Sequence, residues 1–269
     1  MPSVIANGIR QNYELLPPRE PVTDPQTIVC IHGILIDSLA SYFFTLAQPL
    51  HDAGYRVVLY DLRGHGNTDR PAAGYRLDDF VEDLAALLDH LGVESAYVLG
   101  NSFGGTIAYG FAARHPDRAA GVMTIESEPA TPQWAAKMAA NLHRAATELG
   151  TVKAMTYITA TYGRGLAHRS RGAYRMLCTT TLERDLPDST VLSDREIAAI
   201  GCPSLAVYGS ESDLSQLAEP LRILMPRHQA IVLPGLEHSV LVEAPAKVLD
   251  LLLSWMDEHR HAAPRERSP

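Results

Sequence analysis

Lysine is almost missing from this chain. Of its 23 basic side chains only Lys137, Lys153 and Lys247 are lysines, set against 31 acidic residues and a formal net charge of −8. That balance argues against a general role on nucleic acid or on an anionic membrane. Cysteine is equally sparse. Cys30, Cys178 and Cys202 are too few and too scattered for a disulfide framework and lack zinc-site spacing. Cys30 sits inside an apolar run and Cys202 beside Pro203, so both read as packing residues. With no H-E-x-x-H and no paired-cysteine motif, a metal hydrolase has no ligand set, and no metal site is expected. No apolar run approaches the length that spans a bilayer, and the first residues show no basic region followed by an apolar core. The expectation is a cytoplasmic protein without membrane or nucleic-acid partners. Internal repeats and low-complexity tracts are also missing.

What is present is a rhythm. "VIANGIRQNYELL" carries an Asn-Gly between alternating runs, a hairpin signal. After it come "TIVCIHG", "RVVLYDLRG", "AYVLGNS", "GVMTIES", "SLAVYGS" and "AIVLPG", short and nearly continuous apolar runs, as strands buried on both faces read. Most alternate with amphipathic segments such as "RLDDFVEDLAALLDHLG", where Phe80, Leu84, Leu87, Leu88 and Leu91 mark one helical stripe. Strand and helix in alternation predict an α/β fold, a mostly parallel sheet flanked by helices. From about Pro129 to Ser193 the strands stop, and only helical patterns such as "WAAKMAANLHRAATELG" occur. The expected organisation is a core domain over 1–128 and 196–260, an inserted helical lid over 129–195, and a polar tail at 261–269.

"GNSFG", residues 100–104, places Ser102 between glycines where an apolar run gives way to a helical pattern. This is the strand-to-helix context of the G-x-S-x-G nucleophile elbow, in which a strained turn projects the hydroxyl outward. The competing reading is a plain N-cap serine among turn glycines. A serine hydroxyl needs a base to take its proton. His238 in "LPGLEHSVLVEAP", between the last strand and the last helix, is the best placed of 11 histidines. His32 and His65 lie beside turn glycines and suit backbone-fixing hydrogen bonds, while His168 lies in the expected lid. An acid must orient the imidazole. Asp213 in "VYGSESDLS" is the expected acid, with Glu211 as a substitute and Glu126 or Glu128, after "GVMTI", ranked behind them. Two backbone N–H groups, those of Ile34 after His32-Gly33 and of Phe103 beside Ser102, are the expected oxyanion hole.

Together, His32-Gly33, "YDLRGHGNTDRP", "GNSFGG", Asp213 and "GLEHSVLVEAP" resemble the α/β-hydrolase superfamily over nearly the whole chain. The branches most similar are the haloperoxidase-like esterases, the epoxide-hydrolase-like enzymes and the hydrolases that cleave C–C bonds of ring-fission diketones. The resemblance implies an eight-stranded, mostly parallel sheet with a helical lid, a Ser102–Asp213–His238 triad and no cofactor. Epoxide hydrolases and dehalogenases carry aspartate at the nucleophile position, where this chain has Ser102. One departure concerns the acid: many members place it three residues after the strand-ending glycine, and position 212 here is Ser212.

The expected activity is hydrolysis of an ester or thioester, or of a C–C bond, in a small hydrophobic or polyketide-like substrate. Trp134, Met138, Tyr157, Tyr162 and Met176 in the lid and Phe43 below it are candidate substrate contacts. Arg164, Arg169, Arg171 and Arg175 form a basic run that reads either as a solvated helix face or as a dock for an acidic acyl carrier protein. Two rivals share the fold: an enzyme that cyclises or forms C–C bonds in natural-product assembly, and a ligand-binding receptor. A monomer or a homodimer is expected.

Overall fold

The computed structural model describes residues 2–23 and 25–259; the polar tail expected at 261–269 lies outside the described residues. Eight strands form one sheet in the order β1-β2-β4-β3-β5-β6-β7-β8. They are β1 Ser3–Ala6, β2 Ile9–Leu16, β3 Thr27–Ile31, β4 Arg56–Tyr60, β5 Ala96–Asn101, β6 Ala119–Ile125, β7 Ser204–Gly209 and β8 His228–Leu233. β1 and β2 make the hairpin, turning through Asn7 and Gly8, both at positive φ as a type I′ turn requires. β2 runs antiparallel to β4, and every later pairing is parallel.

The continuous apolar runs have a direct cause. In β3, Val29 and Ile31 pack beneath the helices Leu77–His90 and Phe103–Arg114, whereas Ile28 and Cys30 face the closing helix Pro245–His259 with Leu252 and Trp255. Both faces are covered, so the strand is apolar from Ile28 to Ile31. Burial pushes the Cys30 thiol well above its ordinary range, and to about 11 for Cys202, which packs against the core.

The chain leaves β3 toward β4 on one side of the sheet and places β5 on the other. The crevice outside the carboxyl ends of β3 and β5 is the switch point at which open α/β sheets bind ligands. Register brings those ends level, with Ile31 beside Gly100, Asn101 beside Ile125 and Ile125 beside Val207. Between β6 and β7 the described chain is helical, with principal helices Pro132–Glu148 and Val152–Thr179. The second is broken at Gly163, whose φ of 85° and ψ of 174° leave the helical region. This insertion is no independent body: Trp134, Leu142, Met176 and Leu177 belong to the same buried cluster as Phe103 and Ile107.

Candidate active site

β5 stops at Asn101, and Ser102 adopts φ 53° and ψ −122° before the helix Phe103–Arg114 begins. The bend is possible only because the chain meets itself without side chains. A Cβ on Gly100 would lie 2.2 Å from the Gly104 carbonyl, and one on Gly104 would lie 2.0 Å from the Ile31 oxygen. The Ser102 N–H is pinned to the Ile125 oxygen at 2.9 Å. Its hydroxyl caps nothing, which removes the N-cap reading; Oγ instead faces His238 Nε2 at 3.1 Å.

His238 lies beyond β8, and its Nδ1 faces Glu126 Oε2 at 3.1 Å. Asp213, the acid expected from the sequence, is not brought to the imidazole. It opens a short 3-10 turn with its side chain exposed, and the neighbouring Glu211 accepts the Ser210 hydroxyl at 2.9 Å and is exposed too. The cause is local. Ser212 holds the Leu214 N–H at 3.2 Å and starts this turn, in which Asp213 lines the cavity with His238 but makes no ion pair with it among the described residues. Glu126 follows β6 directly with φ 51° and no exposed surface. Its carboxylate accepts the Gly209 N–H on Oε1 and the Ser212 hydroxyl on Oε2, the latter at 2.5 Å. With His238 Nδ1 these donors give the buried carboxylate three partners. The signal that could have found Glu126 was an ionisable residue directly after an apolar strand, where burial without partners would be prohibitive.

Ile34 and Phe103, whose N–H groups are expected to face the oxyanion, line the same cavity as Ser102 and His238, and neither N–H has a hydrogen-bond partner among the described residues. The β3 loop carrying Ile34 is braced from both sides. Gly33 N–H donates to Asp37 Oδ2 at 2.8 Å, and Leu35, at φ 71°, donates its N–H to His65 Nε2 at 2.8 Å. His65 Nδ1 in turn donates to the Arg63 oxygen at 2.9 Å, which fixes the neutral tautomer, and burial with His32 nearby lowers its pKa to about 3. His32 accepts the Leu62 N–H at 3.0 Å and meets the His65 ring edge-on at 5.3 Å. Both histidines therefore fix backbone, as their glycine neighbours suggest. The rest of "DLRGHG" is bracing as well. Asp61 gathers Leu39 N–H, Asn67 N–H and the Asn12 amide, while Arg63 forks onto buried Asp83 at 2.6 Å through both Nε and Nη2.

The cavity over Ser102 measures about 420 Å³. Trp134 and Met138 line it, as expected for substrate contacts; Trp134 lies parallel to the Phe103 ring at 6.4 Å between centroids. The other four candidates do not line it. Tyr157 and Tyr162 are 60% and 61% exposed and pair edge-on at 6.3 Å on the outer part of the broken helix. Phe43 lies 39% exposed against Phe44, and Met176 is buried against Gly64. Helical periodicity marks apolar faces but not which neighbour they meet, and the break at Gly163 redirects the segment bearing both tyrosines. Sequence reasoning passed over Lys137 and Asn141, one and two turns beyond Trp134 on the cavity wall. Lys137 is ion-paired with Glu128; desolvation lowers its pKa, and Asp213 opposes that. Among the described residues no cluster of histidine, cysteine or acid side chains could hold a metal, and no helix is long and apolar enough to cross a membrane.

Comparison with known proteins agrees with this fold. A family model described as the alpha/beta hydrolase fold matches residues 26–171. Epoxide hydrolase B of Mycobacterium tuberculosis is 45% identical over 100 residues, a match spanning 36% of this chain and only 28% of that protein. The 2-(acetamidomethylene)succinate hydrolase of Mesorhizobium japonicum is 27% identical over 246 residues, covering 84% of this chain and 86% of its own. Among solved structures, a bacterial membrane phospholipase A superposes with a TM-score of 0.80 at 22% identity, over 96% of this chain and 86% of that one.

Proposed function

The chain belongs to the α/β-hydrolase family, and from that premise we propose that it is a serine hydrolase acting by acyl transfer. The observation that carries this reading is the unbroken relay of Ser102 Oγ, His238 and Glu126, linked by two contacts of 3.1 Å. His238 Nε2 takes the proton from Ser102 as Oγ attacks a carbonyl carbon. The oxyanion that forms is met by the Ile34 and Phe103 N–H groups. Glu126 accepts from Nδ1–H, which keeps Nε2 free as the base and stabilises the imidazolium. His238 then gives the proton to the leaving group, and water activated by the same imidazole releases the acyl group. Opening an epoxide with the Ser102 oxygen would leave an ether that water cannot release, whereas acyl transfer leaves an ester that it can, so the epoxide-opening activity named for one relative is not carried over. A cavity of about 420 Å³ that sets Trp134 and Met138 beside Lys137, Asn141, Glu128 and Asp213 suits a small acyl group with both apolar and polar parts.

The test is a panel of esters, thioesters and ring-fission diketones turned over in H₂¹⁸O. One labelled oxygen should enter the acid product, and Ser102→Ala should abolish turnover. Isomerised or coupled product without the label would replace this reading with a non-hydrolytic one.

A second reading, in which the acyl group arrives on an acidic carrier protein, is supported by the helix Val152–Thr179. Arg164, His168, Arg171 and Arg175 recur at positions i, i+4, i+7 and i+11, all exposed, and no ion pair engages the three arginines among the described residues. Residues 149–182 contain no acid. Arg171→Glu with Arg175→Glu should raise KM for carrier-bound thioesters and leave the free thioester unchanged; equal KM values on both would rule the dock out.

A further inference from the structure

One buried hydroxyl in the cavity over Ser102 is unanswered by the protein. Ser127 follows Glu126, lines the cavity and is 2% exposed, and its Oγ has no hydrogen-bond partner among the described residues. The other buried polar side chains of that wall are engaged. Thr106 gives its hydroxyl to the Glu128 oxygen at 2.8 Å, Ser212 gives its own to Glu126, and Glu126 meets His238. Asn141 accepts from Arg144 at 3.0 Å, and Lys137 is paired with Glu128. Buried hydroxyls are ordinarily paired, because an unmet one has given up its hydration for nothing. The fold nonetheless makes room for this one. Ser127 Oγ packs against Gly105, on the first turn of the helix that Ser102 leads, where a Cβ would lie 2.4 Å from it. The Gly105 N–H goes to the Ser102 oxygen at 3.0 Å and is not available to Ser127.

We propose that Ser127 is a specificity-determining residue, which donates its hydrogen bond to a neutral oxygen, a hydroxyl or a ketone, carried on the acyl chain of the substrate. The proposal rests on the serine-hydrolase reading above and names a substrate class within it. His238 hands its proton to the leaving group, so the leaving group lies toward the loop after β8. The acyl chain is left the other wall, where Ser127 and Thr106 sit with the lid-helix face of Trp134, Lys137, Met138 and Asn141, positions i, i+3, i+4 and i+7. A plain alkyl chain there leaves the Ser127 hydroxyl unmet, whereas an oxygen on the chain answers it, and such a site discriminates against the analogue that lacks the oxygen. Charge selects the neutral form. Besides Glu126, the cavity is lined by Glu128, Glu211, Asp213 and Glu237 against the single ammonium of Lys137, already paired, so a substrate carboxylate would meet like charge.

Ethyl esters in near-isosteric pairs test this, with acid release followed by titration at constant pH. The pairs are 3-hydroxybutyrate against 3-methylbutyrate and 4-oxopentanoate against 4-methylpentanoate, with monoethyl succinate as the anionic twin of the ketone. On the native protein, kcat/KM should favour at least one oxygen-bearing ester over its methyl twin by roughly 3- to 10-fold, the range of one neutral hydrogen bond. Ser127→Ala should level that ratio by slowing the oxygen-bearing ester alone. Ser127→Cys, which keeps the shape with a weaker donor, should fall between the two. Monoethyl succinate should be at least about tenfold poorer than ethyl 4-oxopentanoate. Without substrate, Ser127→Ala should melt no lower than the native protein, because it removes a hydroxyl that the fold leaves unmet.

Native turnover blind to the oxygen, or a preference that Ser127→Ala retains, overturns the proposal. So does a Ser127→Ala protein that melts lower and slows both members of a pair alike, which would make Ser127 a packing residue. Monoethyl succinate turned over as well as the ketone would overturn the neutral class. The rate of fluorophosphonate labelling, measured alongside, separates these failures from that of the premise. If Ser102 is labelled while the esters are not told apart, or are not hydrolysed, only this proposal falls. If Ser102→Ala is labelled as fast as the native protein, the serine-hydrolase reading falls and this proposal with it.

Discussion

Mild acid should weaken this protein well before its carboxylates titrate, and two buried histidines set the size of the effect. Burial lowers the pKa of His65 to about 3 and that of His228 to about 4. In the unfolded chain both take up protons below their ordinary value of about 6.5, while in the folded chain both refuse them. The unfolded state then binds more protons, so this stability is complete above about pH 6.5 and is lost progressively as pH falls toward the folded values. Each unit of pH below about 6.5 removes about 1.4 kcal/mol per histidine, so by about pH 5 the two together forfeit about 4 kcal/mol. At about 2–4 °C per kcal/mol for a chain of this size, the melting temperature should drop by roughly 8–16 °C between pH 7 and pH 5. Calorimetry across that range reads it directly. His65→Gln should about halve the slope, because the remaining share belongs to His228, whose Nδ1 meets the Ser204 hydroxyl at 2.8 Å far from the site. In the folded chain His65 stays neutral across that range and goes on accepting the Leu35 N–H that braces the Ile34 loop, so what is lost is stability. A melting temperature unchanged from pH 7 to pH 5, or a His65→Gln slope as steep as the native one, would refute the reasoning.

Three further substitutions probe the scaffold. Gly104→Ala would set a Cβ 2.0 Å from the Ile31 oxygen, a backbone atom that can yield only if the helix after Ser102 moves by about an ångström; a loss of about 1–3 kcal/mol or more by denaturant titration and about 100-fold in labelling rate is expected. Gly8→Ala, with nothing within 4 Å of its Cβ but a φ of 75°, should lose about 1 kcal/mol and no activity. Arg63→Met would leave the Asp83 carboxylate, whose pKa burial already raises, without its cation, at about 3–5 kcal/mol. Adding Asp83→Leu should restore part of that stability, and a double variant as unstable as Arg63→Met would show that the buried pair is not what holds the loop.

The strands, the elbow and the β3 loop were legible because each is written in local terms. A strand covered on both faces has to be apolar throughout, and a chain crossing its own backbone has to use glycine, as at Gly100 and Gly104. Sequence alone ranked Glu126, the carboxylate that meets His238, behind Asp213, for a reason that is equally physical. Asp213 and Glu126 both follow apolar strands, and the choice between them depends on which carboxylate can find donors where it is buried. That depends on Ser212 turning the chain after β7 and on Glu126 adopting a φ of 51°, and no spacing rule encodes either. Trp134 and Met138 line the cavity and Tyr157 and Tyr162 stand exposed, though all four read alike in sequence as aromatic or apolar residues at helical spacing, and the break at Gly163 reads there as one more permissive glycine.

The central claim is that Ser102 is made nucleophilic by His238. Intact mass after fluorophosphonate treatment of the native chain, Ser102→Ala and His238→Ala tests it most directly. One adduct on the native protein, absent from both folded variants, is the result the geometry predicts. An adduct that survives Ser102→Ala, or none on the native protein while a general serine hydrolase in the same buffer is labelled, would contradict it.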